Sequence, residues 1–172
     1  MSTDGDEVRP EDVKLYIEMW KQTVAVQMHF NEIEWKIRGL ALTALTFTVG
    51  ASSYVSGKSQ SFHVLGKPVS ASAAVLFGGL VLWLGFYFVD QVWYHRLLMG
   101  SVKHGEDLEK RINVTLPGAG LTAAISASSP YTVRAFRHDI WVIHSKHKLQ
   151  IFYWVGSLVL AVLALIVQTS TK

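Results

Sequence analysis

Residues 149–171 read LQIFYWVGSLVLAVLALIVQTST, an unbroken run without an Asp, Glu, Lys, Arg or His. About 20 helical residues cross a hydrocarbon core, so this stretch alone predicts a membrane-spanning helix. Two further charge-free stretches, 39–57 and 68–89, have similar lengths. The sequence therefore predicts three transmembrane helices. Composition agrees, because half of the 172 residues are hydrophobic and only 17% are charged, against about 25% in an ordinary soluble domain. With 0 cysteines, disulfides, thiolate metal sites and cysteine nucleophiles are excluded.

Placing the charges along the chain gives an expected topology. Lys and Arg number 5 before the first span, 2 in residues 58–67, 8 in residues 90–148 and 1 after the third span. Three spans put the first and third of these groups on one side, 13 basic residues against 3, and the positive-inside rule assigns that side to the cytoplasm. All 13 acidic residues fall there too. Residues 1–38 and 90–148 are thus expected in the cytoplasm, residues 58–67 as an outer loop and the C-terminus on the periplasmic side of a bacterial inner membrane. An acidic start (Asp4, Asp6, Glu7, Glu11, Asp12) and the long polar segment 1–38 before the first span argue against a signal peptide. Trp35, Tyr94, Tyr153 and Trp154 read as aromatic anchors at the inner boundary.

Helical signals extend beyond the spans. Pro10 followed by Glu11 and Asp12 marks a helix start, and Val13, Ile17, Trp20, Val24 and Met28 recur at spacings of four and three. Nothing interrupts the pattern before Gly39, so one helix should run from the cytoplasm through the first span, about 70 Å at 1.5 Å per residue. Helix is also expected past Asp90, weakened at Gly100 and Gly105. Residues 116–130, rich in Pro, Gly, Ala and Ser, read as a loop with one short turn, and residues 131–148 as helix feeding the third span. The fold class is all-α: an integral membrane protein with cytoplasmic helical extensions, assembled as an oligomeric bundle.

The first span carries Gly39, Thr43, Thr46, Gly50, Ser53 and Gly57 at spacings of four and three, one small, hydroxylated face along its whole length. Such a face suits close helix packing, and equally the lining of a water-filled path made by several subunits. Thr43, Thr46, Gly50 and Ser53 are the candidate pore-lining residues. No ionisable residue lies inside the three stretches, which disfavours proton-coupled transport and suits a passive channel. Three spans are too few to enclose a path in one chain, so a pore requires a homo-oligomer.

Basic residues supply a second candidate site. On a helix through residues 131–148, Arg137, Trp141, His144 and Lys148 share a face, with Arg134 and His138 beside it. Cations interleaved with an indole suit a phosphate backbone and a stacked base, and equally a collar on anionic lipid heads. Arg134, Arg137, His138, Trp141 and Lys148 are the candidate ligand residues. Arg137 and His144 also resemble the Arg-x6-His motif of HEPN ribonucleases, although residues 90–148 make a small domain for that class. His138, Asp139, His144 and His147 do not fill a zinc shell, because only His144 and His147 share a face well. Neither an enzyme activity nor a cofactor nor a metal is expected.

The block Tyr16, Met19, Trp20 and then Val26, Gln27, Met28, His29, Phe30, Asn31, Glu32, Ile33, Glu34, Trp35, Lys36, Ile37 and Arg38 resembles that of small bacterial antiphage-defence membrane effectors of the Hailong type, with a layout similar to SLATT effectors. The similarity covers residues 16–55. It implies an ion channel whose state is set by a nucleotide signal, a single-stranded DNA oligomer or cyclic oligonucleotide, made by a partner nucleotidyltransferase. The alternative expectation is a membrane anchor or scaffold that recruits a cytoplasmic partner.

Overall fold

The structure, a computed structural model, describes residues 10–58, 60–128, 131–135, 138–143 and 145–170, with backbone alone at 10–11, 131–135, 138–143 and 145–146. Helix α1 (Pro10–Ser56) starts at the proline signal and runs unbroken for 47 residues. A hairpin follows, β1 (Ser61–Val64) and β2 (Lys67–Ser70). Next comes one continuous 45-residue helix, Ala71–Thr115, made of α2 (Ala71–Tyr87), a π-helical turn (Phe88–Tyr94) and α3 (His95–Thr115). The short α4 (Leu121–Ser128), a second hairpin of β3 (Tyr131–Ala135) and β4 (His138–Ile143), and α5 (Ser145–Ser170) complete the chain.

Two of these helices, Ala71–Thr115 and His147–Ser170, are long and apolar enough to cross a membrane. Only 22% of the most apolar window of the first and 17% of that of the second is buried, so most of each apolar window faces outward from the fold. The stretch 39–57 is not among them. Thr43, Thr46, Thr48, Ser52 and Ser53 dilute its leucines and lower its mean hydropathy.

The chain divides into two compact units. The unit of Glu34–Trp93 and Lys146–Lys172 packs α1, α2 and α5 up, down and up. Arg38, Asp90 and Tyr153 meet at one end; Ser52 meets Ser72, and Ser70 meets Gln168, at the other. Its core is small: Ala41, Leu76, Trp83, Leu149, Tyr153 and Leu160. Close approach depends on two glycines, since Gly79 lies against the Thr48 side chain and Gly156 against the Trp83 indole, where a Cβ would collide with the ring. Trp83 Nε1 then donates to the Tyr153 carbonyl at 2.9 Å. Around this core Phe47, Phe77, Leu82, Phe88, Trp154, Leu158 and Leu165 are exposed.

The unit of Met1–Ile33 and Tyr94–Ser145 is more polar. Val13, Leu108 and Ile112 are buried there beside Thr23, Glu109 and Thr122. The expected face of α1 holds for Val13, Ile17, Trp20 and Val24, which are buried or half-buried, but Met28 is 67% exposed. Gly100 and Gly105 leave α3 intact, and Gly105 lets Gln27 and Thr122 pack against its backbone.

Both hairpins correct the all-α expectation, and the protein is mostly helical with four short strands among the described residues. Residues 58–67 are not a plain loop. Leu65 and Gly66 take φ of 51° and 75° between paired strands, the two positive values of a type I′ turn, and β2 claims Pro68, Val69 and Ser70 from the expected second span. Residues 131–135 and 138–143 are not helical either: Tyr131, Thr132 and Val133 pair with Ile143, Val142 and Trp141, and β-branched and aromatic residues of this kind favour extended backbone.

Gly156→Val should cost about 1–3 kcal/mol by overpacking the Trp83 ring, read as a lower melting temperature in detergent. Gly78→Ala, where a Cβ meets nothing within 4 Å, should melt no lower than wild type.

Candidate functional site

Two seams run along α1. The inward one passes through Glu34, Ile37, Ala41, Leu45, Thr48, Ser52 and Val55, all buried or half-buried. Thr43, Thr46, Gly50 and Ser53 start two residues later, about 200° around the helix at 100° per residue, and all four are exposed. Their hydroxyls bond back to the preceding turn: Thr43 to Gly39 O at 3.0 Å, Thr46 to Leu42 O at 3.0 Å and Ser53 to Val49 O at 3.0 Å. The candidate stripe is therefore an outward face of this unit. The hydroxyls that face its other helices are Thr48, against Gly79, and Ser52, which donates to Ser72 O at 3.2 Å.

At one end of the same unit lies a charged cluster. Arg38 Nε donates to Asp90 Oδ2 at 2.9 Å and Arg38 Nη2 to Asp90 Oδ1 at 3.3 Å. Nη2 also meets Glu34 Oε2 at 2.6 Å, and Tyr153 Oη donates to Asp90 Oδ2 at 3.0 Å. Asp90 is fully buried, so its charge depends on these donors. Burial opposes the Arg38 charge, yet the bond to Asp90 and the fields of Asp90 and Glu34 outweigh it and raise the guanidinium pKa. Trp35, Trp93 and Trp154, each within a turn of a cluster residue, are exposed. Tyr153 is not the surface anchor its position suggested; it is buried.

In the other unit, Glu109 collects three N–H donors. Trp20 Nε1 and Thr122 N reach Oε1 at 2.9 and 2.7 Å, and Ala123 N reaches Oε2 at 3.1 Å. Burial would raise the carboxyl pKa; the bonds from Thr122, Trp20 and Ala123 prevail and hold it below its ordinary 4.5. An open cavity of about 300 Å³ lies in the same unit, lined by Met19, Gln22, Thr23, Val26, Ser101 and His104.

The second candidate site does not form as a helical face. Arg134 sits in β3 opposite Asp139, while His138 and Trp141 sit in β4 opposite Ala135 and Val133. Lys148 is exposed on α5. Arg137 and His144 lie outside the described residues. The run Ile140, Trp141, Val142 and Ile143 is the sequence signal for the strand. Sequence reasoning also missed Asp90 and Glu109 as buried carboxylates. Among the described residues no group of three metal-ligating side chains occurs. Comparison with known proteins finds no matching family model, curated protein or solved structure.

A folded pKa below the unfolded one means that Glu109 stabilises its unit at pH values above the unfolded pKa, and that the contribution disappears as pH falls through the folded value. Amide protection of residues 121–128 should therefore drop on acidification below the ordinary carboxyl value of 4.5. In Glu109→Gln the same residues should exchange about five- to hundredfold faster at neutral pH, for a loss of about 1–3 kcal/mol, with little further acid dependence.

Proposed function

We propose that the chain is a bacterial inner-membrane protein with three spans, residues 39–57, 68–89 and 149–171, that assembles as a homo-oligomeric ion channel. The observation that carries this reading is the outward stripe of Thr43, Thr46, Gly50 and Ser53. A hydroxylated face on the outside of an apolar bundle suits a polar path shared by copies of the chain. The third span rests on packing: residues 39–56 of α1 lie alongside the two helices that are long and apolar enough to cross. The exposed Trp35, Trp93 and Trp154 beside the charged cluster support a boundary belt there, and the excess of Lys and Arg on residues 1–38 and 90–148 supports a cytoplasmic face on that side.

The resemblance of residues 16–55 to Hailong-type effectors extends the proposal to antiviral defence, with opening set by a nucleotide signal from a partner nucleotidyltransferase on the cytoplasmic face. The second reading is a membrane anchor or scaffold. It draws on the same stripe, because hydroxyls already bonded to their own helix suit a dry contact between helices as well as a wet one.

Purified protein in liposomes should pass ions, and Thr46→Leu or Ser53→Leu should lower the flux severalfold while the oligomer persists. A silent bilayer with single-stranded DNA oligomers and cyclic oligonucleotides supplied in turn, together with stripe variants that change only the assembly state, would replace the channel with the scaffold.

A further inference from the structure

The helix from Ala71 to Thr115 changes winding at one place, the π-helical turn Phe88–Tyr94. Its sequence, FVDQVWY, holds no proline or glycine, so no helix breaker forces the change. A π-turn fits one residue more into the hydrogen-bonded loop than an α-turn does and occurs mostly as an isolated bulge. This one carries a further cost, since Gln91 Oε1 is buried without a hydrogen-bond partner among the described residues. What the winding secures is Asp90, fully buried between Arg38 of α1 and Tyr153 of α5. Rewinding the turn as α-helix would swing Asp90 by up to one residue's rotation, about 100°, and take its carboxylate off Arg38.

We infer that the Arg38–Asp90 pair is a latch that holds the π-turn, and that its release rewinds residues 88–94 and switches the protein between two packings of α1 against α2. Two discrete arrangements of a packed interface are what such a switch requires. As regulation, the inference rests on the channel reading: the latched form is the resting channel, and release opens it.

Absence of native cysteine allows spin labels at Leu40→Cys and Val89→Cys, both exposed, with labelled protein diluted into unlabelled protein so that the distance within one chain is read. Wild type should give one narrow distance. Asp90→Asn, nearly isosteric, and Arg38→Gln should each populate a second distance and raise basal ion flux at least tenfold, while Arg38→Lys should do so less. Deleting Gln91, which removes the extra residue and leaves both charges in place, should give the second distance alone.

Wild-type distances in Asp90→Asn and in the Gln91 deletion would overturn the latch, whatever the flux. A second distance with unchanged flux in a conducting wild type would overturn its regulatory role. A second distance with no flux from any form, wild type included, would leave the latch standing and remove the channel.

Discussion

Arg38 is the point on which the apolar unit turns. A guanidinium at the start of one apolar stretch and a carboxylate at the end of the next, beside a buried apolar cluster of six among the described residues, must find each other or remain solvated. Removing one partner of such a buried pair costs about 3–5 kcal/mol, whereas an apolar pair of similar volume is often no less stable. The pair is therefore better understood as fixing geometry than as adding stability. It sets which level of α1 faces which level of α2, and Tyr153 adds α5 at the same level. Further along the same helices Thr48 packs on Gly79 and Trp83 on Gly156, contacts that the small size of the glycines permits.

The helices were legible in the sequence because charge and apolar patterning are local. Pro10 as the start of α1, the long apolar runs in α2 and α5, and continuation past Val89 are all visible without knowing what packs on what. Facing was much less legible. Residues 39–57 carry small or hydroxylated residues on two opposite seams, and the more regular one, Gly39 to Gly57, is the exposed one. The inward seam mixes Ala41, Leu45, Thr48 and Ser52, so neither an apolar nor a polar template selects it. It becomes identifiable only once Gly79 and Ser72 are known to oppose it.

The hairpins were misread for a different reason. Residues 131–148 satisfy a helical template through widely spaced basic residues, yet their local propensity lies in Tyr131, Thr132 and Val133 and in Ile140 to Ile143, which are short extended runs. A periodicity of cations carries little structural weight, because exposed charges tolerate many backbones, whereas β-branched runs constrain χ1 and backbone directly. At Leu65 and Gly66 the turn signal was one glycine in a short connection, and a leucine at positive φ is unusual enough that no turn rule selects it.

The long helix Ala71–Thr115 connects two instances of one solution to burying a charge. Asp90 and Glu109 are both buried carboxylates on it, and each is satisfied by donors from other elements: Arg38 and Tyr153 for the first, Trp20 with the Thr122 and Ala123 amides for the second. The donor sets differ in kind. Asp90 takes a cation, so its site is sensitive to the charge of one side chain, and the helix adopts a π-turn to reach it. Glu109 takes neutral N–H groups from an ordinary α-helix, two of them at the start of α4, where the helix dipole also favours an anion. Protonating Glu109 removes the acceptor that holds the first amides of α4, so acid should loosen the contacts of α4.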